Sequence, residues 1–139
     1  MKVGFTGTQK GMSEQQKKQL IEILTVVLEP VTEFHHGDCI GADADAHEIV
    51  LKLKMPVVVH PPINKSKRAF FSQAAKAIWP ERDYLERNHE IVDECDILIA
   101  APYGKEVLRS GTWATVRYAK KKHKDMIIFN TGMCRVIVV

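Results

Sequence analysis

The 139 residues carry 20 Lys and Arg against 17 Asp and Glu, a formal net charge of +3 with a pI of about 8.8; this mild basicity suits an anionic ligand and falls short of a dedicated nucleic-acid binder. The length fits one domain, 1–139, able to bury roughly two thirds of its unfolded surface without disulfides, and Cys39, Cys95 and Cys134 form no C-x-x-C pair that would suggest a zinc knuckle or a thioredoxin-like site. No apolar run approaches the roughly 20 residues of a membrane helix, and Met1-Lys2 leads into a strand pattern with no signal-peptide core, so the expectation is a soluble, cytoplasmic protein with reduced thiols and no membrane partner.

In chain order, residues 2–6 read as a strand closed by Gly7, and Ser13 with Gln16 forms a capping box ahead of a helix whose apolar face is Leu20, Ile21, Leu24, Val27 and Leu28. Pro30 stops it, 32–36 is a second strand, and Asp43 is expected to cap a helix carrying Ala46, Ile49, Val50 and Leu53 inward as far as Met55-Pro56. Residues 57–60 form a nearly continuous apolar run, as expected of a parallel strand buried on both faces, ended by Pro61-Pro62. Lys65, Lys67 and Arg68 read as a solvated loop, and Phe70, Phe71, Ala74, Ala77 and Ile78 as a short helix or a packed loop. A helix at 82–94 turns Leu85, Ile91 and Val92 inward and precedes a very hydrophobic strand at 96–101; Ser110 then caps a helix reaching His123. Residues 126–130 are a further strand, and 134–139 another, at an edge or in a terminal hairpin. This alternation predicts an α/β, doubly wound, mostly parallel sheet with helices on both faces.

Three glycine-bearing turns fall at strand-to-helix junctions, which in such a sheet share the carboxyl edge where ligands bind. GFTGTQKGMS at 4–13 is neither a Walker sequence nor G-x-G-x-x-G; its expected use is backbone N–H approach to an anion at Gly7 and Gly11, with Thr6, Thr8 and Lys10 as added donors. Gly37-Asp38-Cys39-Ile40-Gly41-Ala42-Asp43 is more specific, and Asp43 is expected to serve as N-cap and to orient the loop or accept a ribose hydroxyl. Ser110-Gly111-Thr112 opens a helix and is the best anion site, with Gly111 there to admit a phosphate. Because a crossover helix runs antiparallel to the strands, Arg87 and Asn88 start theirs at the same edge, where Arg87 suits a two-pronged phosphate contact. On that reading Arg87→Ala costs ligand affinity and leaves the fold intact.

Asp43 and His47 share a helix face, whereas His35 and His36 point to opposite faces of a strand and cannot converge, so no metal and no cofactor is expected. His60 and His89 border the cleft, Trp79 and Trp113 are core or cleft wall, and Lys120, Lys121, Lys122, His123 and Lys124 complement the negative end of a helix.

GDCIGADADA, followed by ERNHEIVDECDILIAAPYG and SGTWATVRYAK, resembles the SLOG superfamily of Rossmann-like proteins, which includes DNA-processing protein A and the Lonely Guy cytokinin-activating enzymes. The match is nearest to small bacterial and phage members with a G-x-x-x-G-A-D turn and an Arg-Asn pair. The resemblance implies a Rossmann-like fold that binds nucleotides or their derivatives. Lonely Guy enzymes have an arginine matching Arg87 and a Gly-Thr matching Gly111-Thr112, but PGG where this chain has Arg109-Ser110 at its end, and a catalytic glutamate where it has Thr115. Cleavage of an N-glycosidic bond needs a carboxylate near the ribose, so hydrolysis would require Asp38, Asp43 or Glu106 to substitute, with Arg87 holding the phosphate.

The expected function is therefore binding of a nucleotide or nucleotide-derived small molecule, for sensing or sequestration, through Gly7, Thr8, Lys10, Gly37, Asp38, Gly41, Asp43, Arg87, Asn88, Ser110, Gly111 and Thr112. The alternatives are a nucleoside 5′-monophosphate N-glycosidase and a DNA-binding module using Lys65, Lys67, Arg68 and the 120–124 cluster. Homo-oligomerisation stays open.

Overall fold

A computed structural model describes residues 1–70, 74–106 and 108–129 and the backbone of 136–138. Seven strands form one sheet: β1 (Lys2–Gly7), β2 (Glu33–His36), β3 (Val57–Val59), β4 (Ala77–Ile78), β5 (Ile97–Ala101), β6 (Asp125–Phe129) and β7 (Val136–Val138). Their spatial order is β4-β3-β2-β1-β5-β6-β7, parallel throughout except for β7, which pairs antiparallel with β6. Four helices connect them: α1 (Glu14–Glu22), α2 (Ala42–Lys52), α3 (Tyr84–Glu94) and α4 (Gly111–Lys121). The terminal strand is thus the outer arm of a hairpin; Phe71, Asn130, Cys134 and Val139, read above as part of flanking elements, lie outside the described residues.

Strand alternation builds the two layers. Val3, Phe5, Phe34, Val57, Val59, Ile97, Ile99 and Ala101 point to one face, where they meet Leu20 of α1 and Ala46 and Val50 of α2. Leu98, Ala100, Met126 and Ile128 point to the other, against Ile91 and Val92 of α3 and Val116 and Ala119 of α4. An apolar residue at every position of β3 and β5 follows from burial on both sides.

Three expected faces are corrected. Helix α1 has the predicted capping box at Ser13 and Gln16, but it ends in a π-helical turn, Ile23–Val27. The wide turn, with the Thr25 hydroxyl donating back to the Ile21 carbonyl at 2.7 Å, rotates the register: Ile23 joins Leu20 and Leu24 inside, while Val27 is exposed; Ile21, within α1 ahead of that turn, is exposed as well. Leu85, expected inside α3, is exposed: it lies in the first turn of the helix, nearly two turns ahead of the buried Ile91 and Val92. The described residues of 65–78 are not a wholly solvated loop: Lys65–Lys67 is a 3-10 turn and Ala77–Ile78 is the edge strand β4, while the short helix or packed loop expected from Phe70 to Ile78 falls partly outside the described residues.

The Arg68 side chain is 8% exposed, donating Nε to the fully buried Asp38 carboxylate at 2.9 Å. The same segment ties onto the second glycine turn by backbone bonds from Ile40 to Lys67 and from Ala69 to Asp38.

The chain winds from β1 outward to β4, then returns through α3 to β5 on the other side of β1. Connections therefore leave the carboxyl ends of β1 and β5 in opposite directions, opening a crevice between Gly7 and Ala101, which are register partners.

Candidate ligand-binding site

A cavity of about 710 Å³ occupies that crevice, within the roughly 300–1,000 Å³ of small-molecule sites. Residues 5–10 form one wall and 103–105 with 109–113 the other; Gly37, Cys39 and Asp43 close one end, and Tyr84, Arg87, Asn88 and Ile91 come from α3. Ten of the twelve expected binding residues line it. Asp38 and Gly41 do not.

The first turn is closed on itself rather than open to an anion. The Thr8 N–H donates to Ala101 O at 3.0 Å, Lys10 N–H to Thr8 Oγ1 at 3.1 Å, Gly11 N–H to Thr8 O at 3.3 Å and Met12 N–H to Asp45 Oδ2 at 2.8 Å. What the turn offers the cavity is side chains, with Lys10 Nζ lying 4.0 Å from the Tyr103 ring centroid.

The second turn holds its shape through Asp43, although not as the N-cap. Gly41 takes that position with φ of 87°, and an added Cβ would run into the Thr8 and Gln9 backbone. Asp43 sits in the first turn of α2 and reaches backward, its Oδ2 accepting from Gly37 N at 3.1 Å and Cys39 N at 3.2 Å. Its Oδ1 is buried with no hydrogen-bond partner among the described residues. Burial raises its pKa from 3.8 to about 6, against the lowering influence of Arg87.

That pKa sets a stability gradient. The native state binds more protons than the unfolded chain between pH 4 and 6, so this group makes stability fall as pH rises through that range, with the full penalty present above pH 6. The displacement corresponds to roughly 3 kcal/mol. Asp43→Asn keeps an oxygen for the two backbone donors and does not titrate. Its melting temperature should therefore match the parent near pH 4 and exceed it at pH 7.5; a variant equally or less stable at pH 7.5 would refute the buried, ionised carboxylate.

Arg87 is 4% exposed and serves as a buried tie. Its Nη1 donates to the carbonyls of Gly37 and, at 3.3 Å, His60; Nε donates to Asn88 Oδ1 at 2.7 Å; Nη2 has only the soft Cys39 sulfur at 3.5 Å. A Cβ at Gly37 would collide with the guanidinium, which is why this position is glycine.

The third turn matches its expected geometry at the helix start. Ser110 caps α4, its Oγ accepting from Trp113 N at 3.2 Å, and the first N–H groups, of Gly111 and Thr112, lack intrahelical acceptors. Gly111 has no steric reason to be glycine within the protein, since a Cβ there meets nothing within 4 Å. Thr115 is buried with its hydroxyl donating to Gly111 O at 2.8 Å, turned along the helix.

Of the substitute carboxylates, Asp38 is committed to Arg68, and exposed Glu106 accepts from Arg117 Nη1 at 2.9 Å away from the cavity wall. Asp43 is the one carboxylate on the wall, against four cations, Lys10, Arg87, Lys105 and Arg109. Lys105, Arg109, Tyr84 and Tyr103 carried no sequence signal of their own; chain position near the two motif turns was the available hint.

The histidines lie behind the site. His36 Nδ1 accepts from Asp38 N at 2.9 Å, fixing the Nε2–H tautomer that meets His47 Nδ1 at 2.9 Å, and burial pushes the His36 pKa well down. His35 faces the other layer, pairing with Glu33 and with His60, which packs on Trp79; His89 stacks on Tyr118. Neither His60 nor His89 lines the cavity, whereas Trp113 does. No group of three or more metal-binding side chains occurs among the described residues, and no described helix is long and apolar enough to cross a membrane.

No protein-family model matches the chain, and no curated protein matches it in sequence. Its fold is that of the molybdenum cofactor binding protein from the phototrophic bacterium Rippkaea orientalis, with a TM-score of 0.69 and 22% identity over 92% of this chain and 75% of that one. The Moco carrier protein from Chlamydomonas reinhardtii gives a TM-score of 0.63 and 18% identity over 91% and 74% of the two chains. DNA processing protein A from Streptococcus pneumoniae gives 0.64 and 16% identity over 91% of this chain and 49% of that one, about half its length. The chain thus has the Rossmann-like fold shared with DNA processing protein A and the molybdenum-cofactor proteins.

Proposed function

We propose that this protein binds a nucleotide or nucleotide-derived small molecule, with the phosphate at the start of α4. The observation that carries the reading is the electrostatic make-up of one cavity: four cations, one carboxylate of raised pKa, and a helix N-terminus whose glycine leaves open space. Support at the level of fold comes from two neighbours described as a molybdenum cofactor binding protein and a Moco carrier protein. Tyr103 and Trp113 on the same wall supply flat apolar surface for a ring.

The DNA reading is disfavoured by geometry. Lys65 and Lys67 follow the carboxyl end of β3, while Lys120–Lys124 lie between the end of α4 and the start of β6, at the opposite edge of the sheet. Arg68 is buried in its pair with Asp38, and Lys124 Nζ donates to Cys95 O at 2.6 Å. These cations do not line one face.

Calorimetry with AMP, adenosine, ADP-ribose and cyclic dinucleotides tests the proposal, together with native mass spectrometry for a retained nucleotide. Phosphorylated ligands should bind at least tenfold more tightly than adenosine, since a hydrogen bond to a charged group contributes about 1.5–3 kcal/mol, and AMP should be recovered without release of free adenine. Equal affinity for adenosine and AMP would defeat it.

A further inference from the structure

Resting on that reading, we propose that Asp43 binds a sugar hydroxyl of the ligand, so that the site selects a phosphorylated ribose unit held at both ends, phosphate at α4 and hydroxyl at Asp43.

Two buried polar atoms, each on a side chain that lines this cavity, carry the inference. Asp43 is 6% exposed; two backbone N–H groups occupy its Oδ2, and its Oδ1 has no partner among the described residues. The hydroxyl of Tyr84, a residue on the α3 wall of the same cavity, is also buried and without a hydrogen-bond partner among the described residues. A carboxylate oxygen needs a donor, and a phenol can donate or accept. A ligand hydroxyl meets both needs, because it donates to Asp43 and accepts from Tyr84, whereas a second phosphate has only acceptors to offer and would be repelled by the carboxylate. The charges are arranged accordingly: Lys105, Arg109 and the open Gly111 lie on the wall formed by 103–113, and Arg87, the cation beside Asp43, is engaged by the Gly37 and His60 carbonyls and by Asn88.

The charged groups acting on Asp43 are known on each side. Arg87 from α3 favours its ionised form, and Asp38 from the same loop opposes it. The neighbouring Cys39 thiol has its own pKa raised by burial and then by Asp43, so it stays protonated. Asp43 is therefore the group whose ionisation changes near pH 6 at this end of the cavity.

The test compares AMP with 2′-deoxy-AMP, 3′-deoxy-AMP, IMP and adenosine by calorimetry from pH 5 to 8, on the parent and on Asp43→Asn. In the parent at pH 7.5, removal of one ribose hydroxyl should weaken binding at least tenfold, the effect of losing a hydrogen bond to a charged acceptor. The ratio should shrink as pH falls through about 6; phosphate titration cancels in it, because the compounds carry the same phosphate. In Asp43→Asn the ratio should fall to threefold or less and lose its pH dependence. A merely structural Asp43 would weaken all the nucleotides alike and leave the ratio untouched, which would overturn the proposal. Deoxy analogues that bind like AMP, or discrimination that tracks the purine amino group through AMP against IMP, would overturn it too. Adenosine binding as tightly as AMP would instead bring down the phosphate reading on which it rests.

Discussion

Arg87→Ala is expected to lower the unfolding free energy by about 3–5 kcal/mol, the scale for removing one member of a buried charged network. The structure makes the guanidinium a buried tie, so its loss is not expected to spare the fold as the sequence suggested. The guanidinium bridges the Gly37 and His60 carbonyls, joining the ends of β2 and β3 to α3, and it lies beside the buried Asp43. Alanine would strand both carbonyls and remove the charge that favours the carboxylate. Urea unfolding measures this directly, and a loss below about 1 kcal/mol would show that the tie is dispensable. Arg87→Lys should recover little, because an ammonium cannot span the same acceptors with a planar fork. Any fall in ligand affinity for these variants has to be read beside the stability of the folded state, which is why Asp43→Asn is the cleaner probe of the site.

The second large effect belongs to Arg68. Asp38 is fully buried and has φ of 57°, so its carboxylate is held where water cannot replace a lost partner. Arg68→Ala should destabilise the protein by about 3 kcal/mol and loosen the second glycine turn, because Arg68 carries the segment that bridges to Cys39 and bonds to the backbone of Ile40 and Asp38. The outer pairing of Arg68 with Glu81, which is partly solvated, adds little. Combining Arg68→Met with Asp38→Asn should restore most of the loss, since asparagine tolerates the left-handed conformation and neither residue is then charged. Denaturation of the two single variants and the double variant closes the cycle; additive losses would mean that the two side chains do not act as a pair.

Local chemistry made much of the architecture legible from the sequence. Apolar runs at 57–60 and 96–101 have one explanation in a protein of this size, burial on both faces of a parallel sheet, and the structure agrees with β3 and β5 at the core. The caps at Ser13 and Ser110 depend on a side chain three residues from its acceptor, so they too could be read from spacing. The shared edge of the three glycine turns followed from strand–helix alternation alone, and the cavity lies there.

Tertiary structure decided everything that depends on partners distant in sequence. Asp43 has the composition of an N-cap, yet the close approach of the Thr8 and Gln9 backbone gives that position to Gly41 and sends the Asp43 carboxylate back to Gly37 and Cys39. Arg68 has the sequence context of a solvated loop and becomes a buried ion-pair partner 30 residues from Asp38. The π-helical turn after α1 brought Ile23 into the core and moved Val27 out of it, because one wide turn changes the face that a 3.6-residue period assigns. The backbone donors of the first glycine turn, free on paper, are consumed by Ala101 and Asp45. Sequence fixes which groups are present and their local geometry; long-range packing sets the desolvation and the hydrogen-bond partners, and these decide which groups remain for a ligand.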